Sequence, residues 1–477
     1  MREEEEGGSK LKELPRELWR EVGIRLENEA DVQMFRSTFK LWRTLVPSPL
    51  PSIFPLKIPT PPPYNEKASR MDFYIAQHTA YLIDSLDTQS TNPLFLVLES
   101  KPDRHGFYPF RLFASGKMHK KDWSPPHKLD LQRLRTRLVY KAYYLHFWTD
   151  VNARNWGIGE TCYFQKLVLF SNSTTKNNPL FLATEKGVDL VAVALLSKGD
   201  LAHLTININN PSLMEWKLVN HLPTKFDDII YYGGRLWGVD LSGGAFVMKD
   251  DNMSLSMTRV AASPMIFKDG NFYVGNANNL TPLFSPFYEK PMFNSYNNHY
   301  DDNIGIQGRK RLVEASGGLY MLFPCRRSLH HDTNQIMVYQ LIISKKEYEY
   351  EWVKIESIGN KAFFVGHGFS FSMEIGAGTG LCFNENPKAQ NGNCIFLNGL
   401  SFCRSHSAKH DFPLFKQMLN PYATTGVYSL VDNEFEAISP LDCPQIYCHP
   451  TPTIKKSKSK SSKKIKVSKS KSKEIEV

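Results

Sequence analysis

The sequence predicts a mainly β protein with a small all-α segment near its N-terminus. Short runs rich in aromatic and β-branched residues fill residues 70–452, glycine pairs separate many of these runs, and helical periodicity is confined to residues 11–47. This series of strand-turn-strand units favours a β-propeller-like closed repeat of antiparallel sheets, because closure leaves no sheet edge exposed. A pair of packed β-sandwiches is the alternative. The sequence shows no strict period, so it leaves the number of blades open.

The helical segment follows an acidic leader, residues 1–10. Pro15 suits the opening turn of the first helix, and an apolar stripe at four-residue spacing comes after it, formed by Leu18, Val22 and Leu26. The second helix also has an apolar face, which contains Val32, Phe35, Phe39, Trp42 and Val46. Two helices this short bury too little surface for independent stability, so they require a partner. Periodicity alone leaves open a helical hairpin packed on the protein's own body or a helix-turn-helix that contacts phosphates.

Prolines recur through the next segment, residues 48–69. Because proline fixes φ and has no backbone N–H to donate, these residues exclude a regular helix or a central strand. The sequence therefore predicts a stiff, extended spacer between the helical segment and the β-rich region.

The β-rich region, residues 70–452, contains segments with the alternation of β-hairpins. In residues 226–248 the apolar positions approximate a period of two, and glycine pairs at 233–234 and 243–244 stand where hairpin turns need positive φ. The same pattern recurs in three further segments, residues 186–206, 268–276 and 311–323. These segments are predicted to be hairpins rather than helices.

The net charge of +10 belongs mainly to the C-terminal tail, residues 453–477. Ten lysines and two glutamates give this tail +8, so the rest of the chain is nearly neutral. A body of this charge is not expected to bind nucleic acid over its surface. The Lys/Ser tail has few apolar side chains to bury and is predicted to be disordered. Nuclear import, nonspecific nucleic-acid contact and regulation by phosphorylation are its candidate roles.

The sequence also argues against a membrane or secreted protein. No apolar run approaches the ~20 residues that a transmembrane helix needs, and the N-terminus does not have the pattern of a secretory signal. The seven cysteines are scattered without a CxxC pair. We therefore expect reduced thiols and a location in the nucleus and/or the cytoplasm.

The helical segment resembles the F-box, a module that docks onto the Skp-type adaptor of cullin-based ubiquitin ligases. The resemblance is carried by an ordered series of short motifs: Leu14-Pro15-x-Glu17-Leu18, Arg25-Leu26, Asp31-Val32, Phe35-Arg36-Ser37 and Lys40-x-Trp42-Arg43. It implies adaptor-binding roles for Leu14, Pro15, Leu18, Val22, Leu26, Val32, Phe35 and Trp42. Gly23 departs from a position that is usually apolar, and Phe39 from one that is often cysteine. Since glycine inside a helix costs about 1 kcal/mol relative to alanine, we expect adaptor affinity below the family norm.

The β-rich region resembles the C-terminal domain of unknown function in a large plant F-box family, a domain described as kelch-like or propeller-like. Four segments carry most of this resemblance: Asp227 to Asp240, Arg311 to Gly318, Lys361 to Gly366 and Gly426 to Leu430. The two resemblances together imply a substrate-recognition subunit of an SCF-type (cullin-RING) E3 ubiquitin ligase. The F-box would bind the adaptor and through it a cullin, and the β-rich region would bind a target protein. We expect no catalytic residue, cofactor or metal in this chain.

Two other functions are open at this point. A β-propeller hydrolase or glycosidase requires at least two carboxylates that converge at one pocket. A nuclear nucleic-acid-associated protein would bind through the Lys-rich tail, with steep salt dependence. Three candidate reactive motifs are weak. The Gly376 to Gly380 loop has no βαβ unit around it, as a dinucleotide-binding loop would. The side chains of His330-His331-Asp332 would diverge in a loop rather than bind one metal ion, and Cys443 and Cys448 are predicted to be ordinary thiols.

Overall fold

A computed structural model gives the fold of the chain. The residues that it describes are 15, 54–61, 71–85, 94–100, 107–110, 134–149, 157–158, 164–171, 190–196, 198–207, 210, 213–219, 222–251, 254–268, 271–274, 281–283, 309–326, 334–344, 349–366, 368–375, 392–398, 401–402 and 425–438. This part of the chain contains no helix with the length and apolarity that crossing a bilayer requires.

The first ten strands belong to one large sheet. They are β1 (Leu56–Ile58), β2 (Met71–Ser85), β3 (Leu94–Ser100), β4 (Phe107–Phe110), β5 (Leu134–Thr149), β6 (Gly157–Ile158), β7 (Phe164–Ser171), β8 (Leu190–Leu196), β9 (Leu201–Ile206) and β10 (Trp216–Leu218). Their order across the sheet is β10-β9-β8-β7-β5-β2-β3-β4, with β1 paired to β2 and β6 paired to β5.

Four smaller sheets follow along the chain. The first contains β11 (Phe226–Tyr232), β12 (Arg235–Asp240), β13 (Ala245–Asp251) and β14 (Ser254–Ala261), and the second contains β15 (Met265–Lys268), β16 (Asn271–Val274) and β17 (Thr281–Leu283). The third contains β18 (Arg311–Ala315), β19 (Gly318–Arg326), β20 (Asn334–Ile343) and β21 (Tyr350–Ile355). The fourth has the order β23-β22-β24-β25-β26 and contains β22 (Lys361–Gly366), β23 (Phe369–Glu374), β24 (Cys394–Asn398), β25 (Thr425–Ser429) and β26 (Glu434–Ile438).

All of the described sheets except β15–β17 close into a ring around five inner strands. Strand β5 pairs with β7, β7 contacts β11, β11 contacts β18, β18 contacts β23, and β23 contacts β5 again. Each inner strand begins a blade, so we number the blades by these strands: blade 1 is β5-β2-β3-β4, blade 2 is β7 to β10, blade 3 is β11 to β14, blade 4 is β18 to β21, and blade 5 is β23-β22-β24-β25-β26. This is a β-propeller-like repeat of antiparallel sheets. The mainly β prediction is confirmed, and the alternative of two β-sandwiches is wrong because the sheets close on each other.

Apolar layers fill the spaces between neighbouring blades around the whole ring. Five separate clusters of buried residues join blades 1 and 2, 2 and 3, 3 and 4, 4 and 5, and 5 and 1. Strand β8 shows how the sequence supplies them, because Leu190, Ala192 and Ala194 face one layer while Val191 and Val193 face the next. A strand that is buried on both faces reads as a continuous apolar run, which is the pattern LVAVALL of β8.

The predicted hairpins are present between β8 and β9, β11 and β12, β15 and β16, and β18 and β19. Of the glycine pair 243–244, only Gly243 has positive φ, 98°. Gly233 and Gly234 join β11 to β12 with φ of 58° and 78°, the left-handed conformation that a tight hairpin turn requires. In the turn between β18 and β19 the same role falls to Ser316 and Gly317, with φ of 46° and 72°. The residues that can adopt positive φ therefore determine where these hairpins turn.

Part of the segment predicted to be a spacer lies on the large sheet. Strand β1 pairs antiparallel with β2. Its residue Ile58 is buried, and so is Phe54, two residues before the strand. The indole Nε1–H of Trp216 donates a hydrogen bond to the carbonyl of Pro59 at 3.1 Å. Residues 54–61 therefore do not stand free of the body, because their apolar side chains join the layer between blades 1 and 2.

Candidate functional site

The residues predicted to bind the adaptor lie mostly outside the described residues. Pro15 is described and is exposed. The other seven are not among the described residues: Leu14, Leu18, Val22, Leu26, Val32, Phe35 and Trp42. The same holds for the Lys/Ser tail and for three weak motifs, the Gly376 to Gly380 loop, His330-His331-Asp332, and Cys443 with Cys448. All of these remain predictions from the sequence.

The structure brings buried charged side chains together among the inner strands. We call this set the central polar cluster: Lys166 of β7, Asp227 and Asp228 of β11, Lys310 immediately before β18, and Ser370 of β23. All five are between 0% and 7% exposed. A buried charge is costly unless it is paired and hydrogen-bonded, so the contacts of these residues decide what the cluster does.

Asp228 and Lys166 form the first of two buried ion pairs. The Nζ of Lys166 lies 3.0 Å from Oδ1 and 3.1 Å from Oδ2 of Asp228, and it also donates to the hydroxyl of Ser370 at 3.1 Å. The carboxylate accepts two backbone N–H bonds as well, from Ile229 at 2.9 Å and from Leu312 at 2.8 Å. Both carboxylate oxygens of Asp228 therefore accept hydrogen bonds.

The hydroxyl of Ser370 completes a closed circuit of hydrogen bonds. It donates to the carbonyl of Leu312, whose own N–H donates to Asp228. Lys166 contacts both Asp228 and Ser370. The circuit therefore joins β7, β11, β18 and β23, four of the five inner strands.

Asp227 and Lys310 form the second buried ion pair. The Nζ of Lys310 lies 3.2 Å from Oδ2 of Asp227 and donates to the carbonyl of Leu241 at 2.6 Å. It also lies 4.8 Å from the ring centroid of Phe323, within the range of a cation–π contact. This pair fixes the start of β18 against β11.

Two arginines on either side of Lys310 donate hydrogen bonds to backbone carbonyls. The Nε–H of Arg309 donates to the carbonyl of Asp227, and that of Arg311 donates to the carbonyl of Ser401 at 2.5 Å. The hydroxyl of Ser401 in turn donates to the carbonyl of Val365 at 2.6 Å. The guanidinium groups therefore bond backbone carbonyls as well as adding charge.

Burial controls the protonation of several groups near the inner strands. It lowers the pKa of Lys166 from its ordinary value, while the Asp228 carboxylate acts in the opposite direction. Burial raises the pKa of the Tyr140, Tyr143 and Tyr144 hydroxyls, so they stay protonated. It also raises the pKa of the buried Cys394 thiol to about 12.

The central polar cluster is therefore suited to holding strands rather than to chemistry on a substrate. A general acid or base must reach the proton that it transfers. Asp227 and Asp228 are 1% and 0% exposed, and both already accept bonds from a lysine and from backbone N–H groups. These two carboxylates do not form a pair that is open to a sugar or to water.

A second buried polar group lies in blade 1. We call it the histidine cluster: His78 of β2, Glu99 of β3 and His146 of β5. The Nε2 atoms of His78 and His146 lie 2.9 Å and 3.3 Å from the same Oε1 of Glu99. The three residues are 2%, 3% and 0% exposed. Two imidazoles and a carboxylate around one point are a donor set that can hold a metal ion.

Neither cluster is predicted as a site from the sequence. Asp227 and Asp228 contribute only to the family resemblance, although two carboxylates at the start of an apolar strand are an unusual pattern that signals buried pairing. Lys166 gives the same signal in FQKLVLFS. His78, Glu99 and His146 lie in three different strands, and no short spacing connects them.

Comparison with known proteins places this ring in a family. A family model described as KIB1-4 beta-propeller matches residues 125–429, from before β5 to the end of β25 and well over half of the chain. The chain belongs to the KIB1-4 beta-propeller family. Strands β2 to β4 of blade 1 precede the matched range. The KIB1-4 beta-propeller of this chain therefore includes strands that the family model does not match.

Two proteins of Arabidopsis thaliana are similar to this KIB1-4 beta-propeller protein. F-box protein SKIP23 is 23% identical over 399 residues, which is 82% of this chain and 84% of SKIP23. F-box protein At2g17036 is 25% identical over 165 residues, which is 33% of this chain and 32% of that protein. A solved complex of the fission yeast SREBP-SCAP binding domains matches 71% of this chain and 95% of its own, with 12% identity and a TM-score of 0.20. A TM-score this low does not indicate a shared fold.

Proposed function

We propose that this chain is the substrate-recognition subunit of an SCF-type (cullin-RING) ubiquitin ligase. In this proposal the N-terminal F-box-like segment binds a Skp-type adaptor, and through it a cullin. The propeller binds a target protein, and the associated ligase transfers ubiquitin. The chain itself is then a non-catalytic receptor that raises the effective concentration of target lysines near the ubiquitin carrier.

The observation that carries the proposal is the similarity to F-box protein SKIP23 over most of both chains. The chain also contains the Leu14-Pro15 motif series within residues 11–47, and Pro15 is exposed. A protein that combines an F-box with a propeller has a module for the ligase and a module for the target.

The interior of the ring supports a binding role more than a catalytic one. The buried carboxylates of the central polar cluster are bonded to lysines and to backbone N–H groups, so they serve the fold. The propeller glycosidase considered above needs two carboxylates at an accessible pocket. Asp227 and Asp228 do not meet this requirement.

Co-purification of the full chain with a Skp-type adaptor tests the proposal. We expect the wild-type chain to capture the adaptor, and the double variant Leu14→Ala, Pro15→Ala to capture much less of it, because the resemblance assigns these residues to the adaptor interface. The matched control is Leu213→Ala with Ile343→Ala, two apolar residues of the propeller that are 69% and 79% exposed. This control should capture the adaptor as the wild type does.

Two results would count against the receptor model. One is a wild-type chain that captures no adaptor, and the other is a Leu14→Ala, Pro15→Ala variant that captures as much as the wild type. Circular dichroism of each variant shows whether the propeller is still folded, so that loss of capture is not confused with unfolding.

A further inference from the structure

We propose that the histidine cluster is a binding site for one divalent first-row transition-metal ion, with zinc as the representative ion. The ligands are Nε2 of His78, Nε2 of His146 and the carboxylate of Glu99. This site is independent of the adaptor interaction and of the target, so it goes beyond the proposed function.

The distances within the cluster suit metal ligation. Zinc binds imidazole nitrogen at about 2.0–2.1 Å, and a tetrahedral arrangement then places neighbouring ligand atoms about 3.3 Å apart. The two Nε2 atoms lie 2.9 Å and 3.3 Å from Glu99 Oε1. One candidate donor atom from each residue lies within 4.8 Å of the others. An ion at their centre requires these side chains to move until each donor atom lies about 2 Å from it.

The chemistry of the donors selects the class of ion. Imidazole nitrogen with carboxylate oxygen suits zinc and its first-row neighbours, whereas magnesium and calcium prefer sites made of oxygen alone. A tetrahedral ion takes four ligands, so water or a further donor would occupy the remaining position.

The strands and an aromatic neighbour hold the ligands in place. His78 and Glu99 are directly opposite each other in the β2–β3 ladder, and His146 belongs to β5, which pairs with β2 on its other side. The ring of Tyr144 stacks on His78 with centroids 4.0 Å apart, which restricts the orientation of that imidazole. An ion would therefore cross-link β2, β3 and β5.

Its position gives the ion a structural role. Blade 1 packs on blade 5 through Ala80, Leu82 and Val97 against Phe364 and Val427. This layer joins the N-terminal and C-terminal ends of the described ring. A metal ion that ties the strands of blade 1 together would stabilise the closed ring.

Metal titration of the full chain tests the proposal. The purified protein is stripped with a chelator, desalted and titrated with zinc by calorimetry, with a competing chelator to define affinity. We expect one tight site per chain. His78→Asn, Glu99→Gln and His146→Asn should each weaken zinc binding by at least about tenfold, since even changes to groups that only hydrogen-bond a metal's ligands have effects of this size.

Three control variants separate this site from other donors in the chain. His203→Asn changes a half-buried histidine of β9, the double change His330→Asn, His331→Asn removes the paired histidines, and Cys443→Ser, Cys448→Ser removes two thiols. All three should bind zinc as the wild type does. Binding that is lost in one of these controls and kept in the cluster variants would overturn the proposal.

A spectroscopic measurement on the wild-type protein covers the case in which a cluster variant does not fold. X-ray absorption at the zinc edge should show two imidazole nitrogens, oxygen and no sulfur around the ion. Sulfur ligands, fewer than two imidazoles, or a wild-type chain without a stoichiometric zinc site would each contradict the proposal. The last result would show that His78, Glu99 and His146 are only a buried ion pair and hydrogen-bond group.

Discussion

The central polar cluster and the apolar layers between the blades are equally buried, but different forces hold them together. The layers consist of aliphatic and aromatic side chains, as in the stack of Phe371, Phe364 and Phe396. The cluster consists of two ion pairs with backbone bonds around them. Apolar contacts are non-directional, whereas a carboxylate that accepts bonds from Lys166, Ile229 and Leu312 fixes geometry.

The apolar layers and the central polar cluster contribute differently to the stability of the ring. The layers supply most of the driving force for closure, because burial of apolar surface dominates folding. Buried ion pairs add little net stability over an apolar replacement, but removal of one partner is costly. We infer that the cluster fixes the positions of the inner strands and that the layers hold the blades together.

The largest expected loss of stability is in the central polar cluster. Asp228→Ala should lower the free energy of unfolding by about 3–5 kcal/mol, because Lys166 would remain buried without its carboxylate. The N–H groups of Ile229 and Leu312 would lose their acceptor as well. Urea unfolding followed by tryptophan fluorescence measures this change.

An exposed ion pair of the same chemistry is the control for Asp228. Asp72 lies 2.7 Å from Lys57, and the two side chains are 44% and 63% exposed. Asp72→Ala should lower the free energy of unfolding by less than about 1 kcal/mol. If the two variants lose equal stability, the distinction between buried and exposed pairs in this protein is wrong.

An intermediate effect is expected in the layer between blades 5 and 1. Phe364 stacks on Phe371 and on Phe396, with centroids 4.9 Å and 4.6 Å apart. Phe364→Leu keeps an apolar side chain but removes both ring contacts, and should cost about 1–3 kcal/mol because each aromatic pair contributes about 0.5–1.5 kcal/mol. The same urea titration measures this loss of stability.

Ile343→Ala is the control for Phe364, because this side chain is 79% exposed. It should change the free energy of unfolding by less than about 0.5 kcal/mol. A larger loss for Ile343→Ala than for Phe364→Leu would contradict the assignment of stability to the layers.

The smallest expected effect is at the partly exposed face of blade 2. Burial, and then the Lys217 charge directly opposite on β10, lower the pKa of His203 below its ordinary value. The folded state therefore binds this proton less well than the unfolded state. The free energy of unfolding therefore keeps its full value above the unfolded pKa of about 6.5, and it decreases as the pH falls from there through the lowered pKa of the folded state.

NMR titration of the His203 ring tests this expectation. Lys217→Ala should raise the pKa of His203 without restoring its ordinary value, because burial is the larger cause. Lys354→Ala, an exposed lysine of blade 4, should leave that pKa unchanged. A pKa that does not respond to Lys217→Ala would show that burial alone lowers it.

Much of the fold follows from local features of the sequence. The run of β8 indicates a strand that is buried on both faces, and Gly233 with Gly234 marks a tight turn. These features determine the hairpins because each depends on a few adjacent residues. The extended form of residues 54–61 also follows from proline, but their packing on the sheet depends on Trp216, 157 residues beyond Pro59.

The two clusters could not be predicted in the same way. Lys166 and Asp228 are 62 residues apart, and Lys166 and Ser370 are 204 residues apart. His78 and Glu99 are 21 residues apart on neighbouring strands, and His146 reaches them from a third. A lone polar residue in an apolar strand signals that it needs a partner, but it does not identify the partner.

The sequence by itself determined the strand-turn-strand repeat, the near-neutral body, the Lys-rich tail and the F-box-like order of residues 11–47, because all of these are patterns of neighbours along the chain. Only the tertiary structure decided that five inner strands form a closed ring and that Lys166, Asp228 and Ser370 meet at its centre. It also decided that His78, Glu99 and His146 share one buried point. Ring closure joins residues hundreds of positions apart, and such long-range contacts depend on the packing of whole blades.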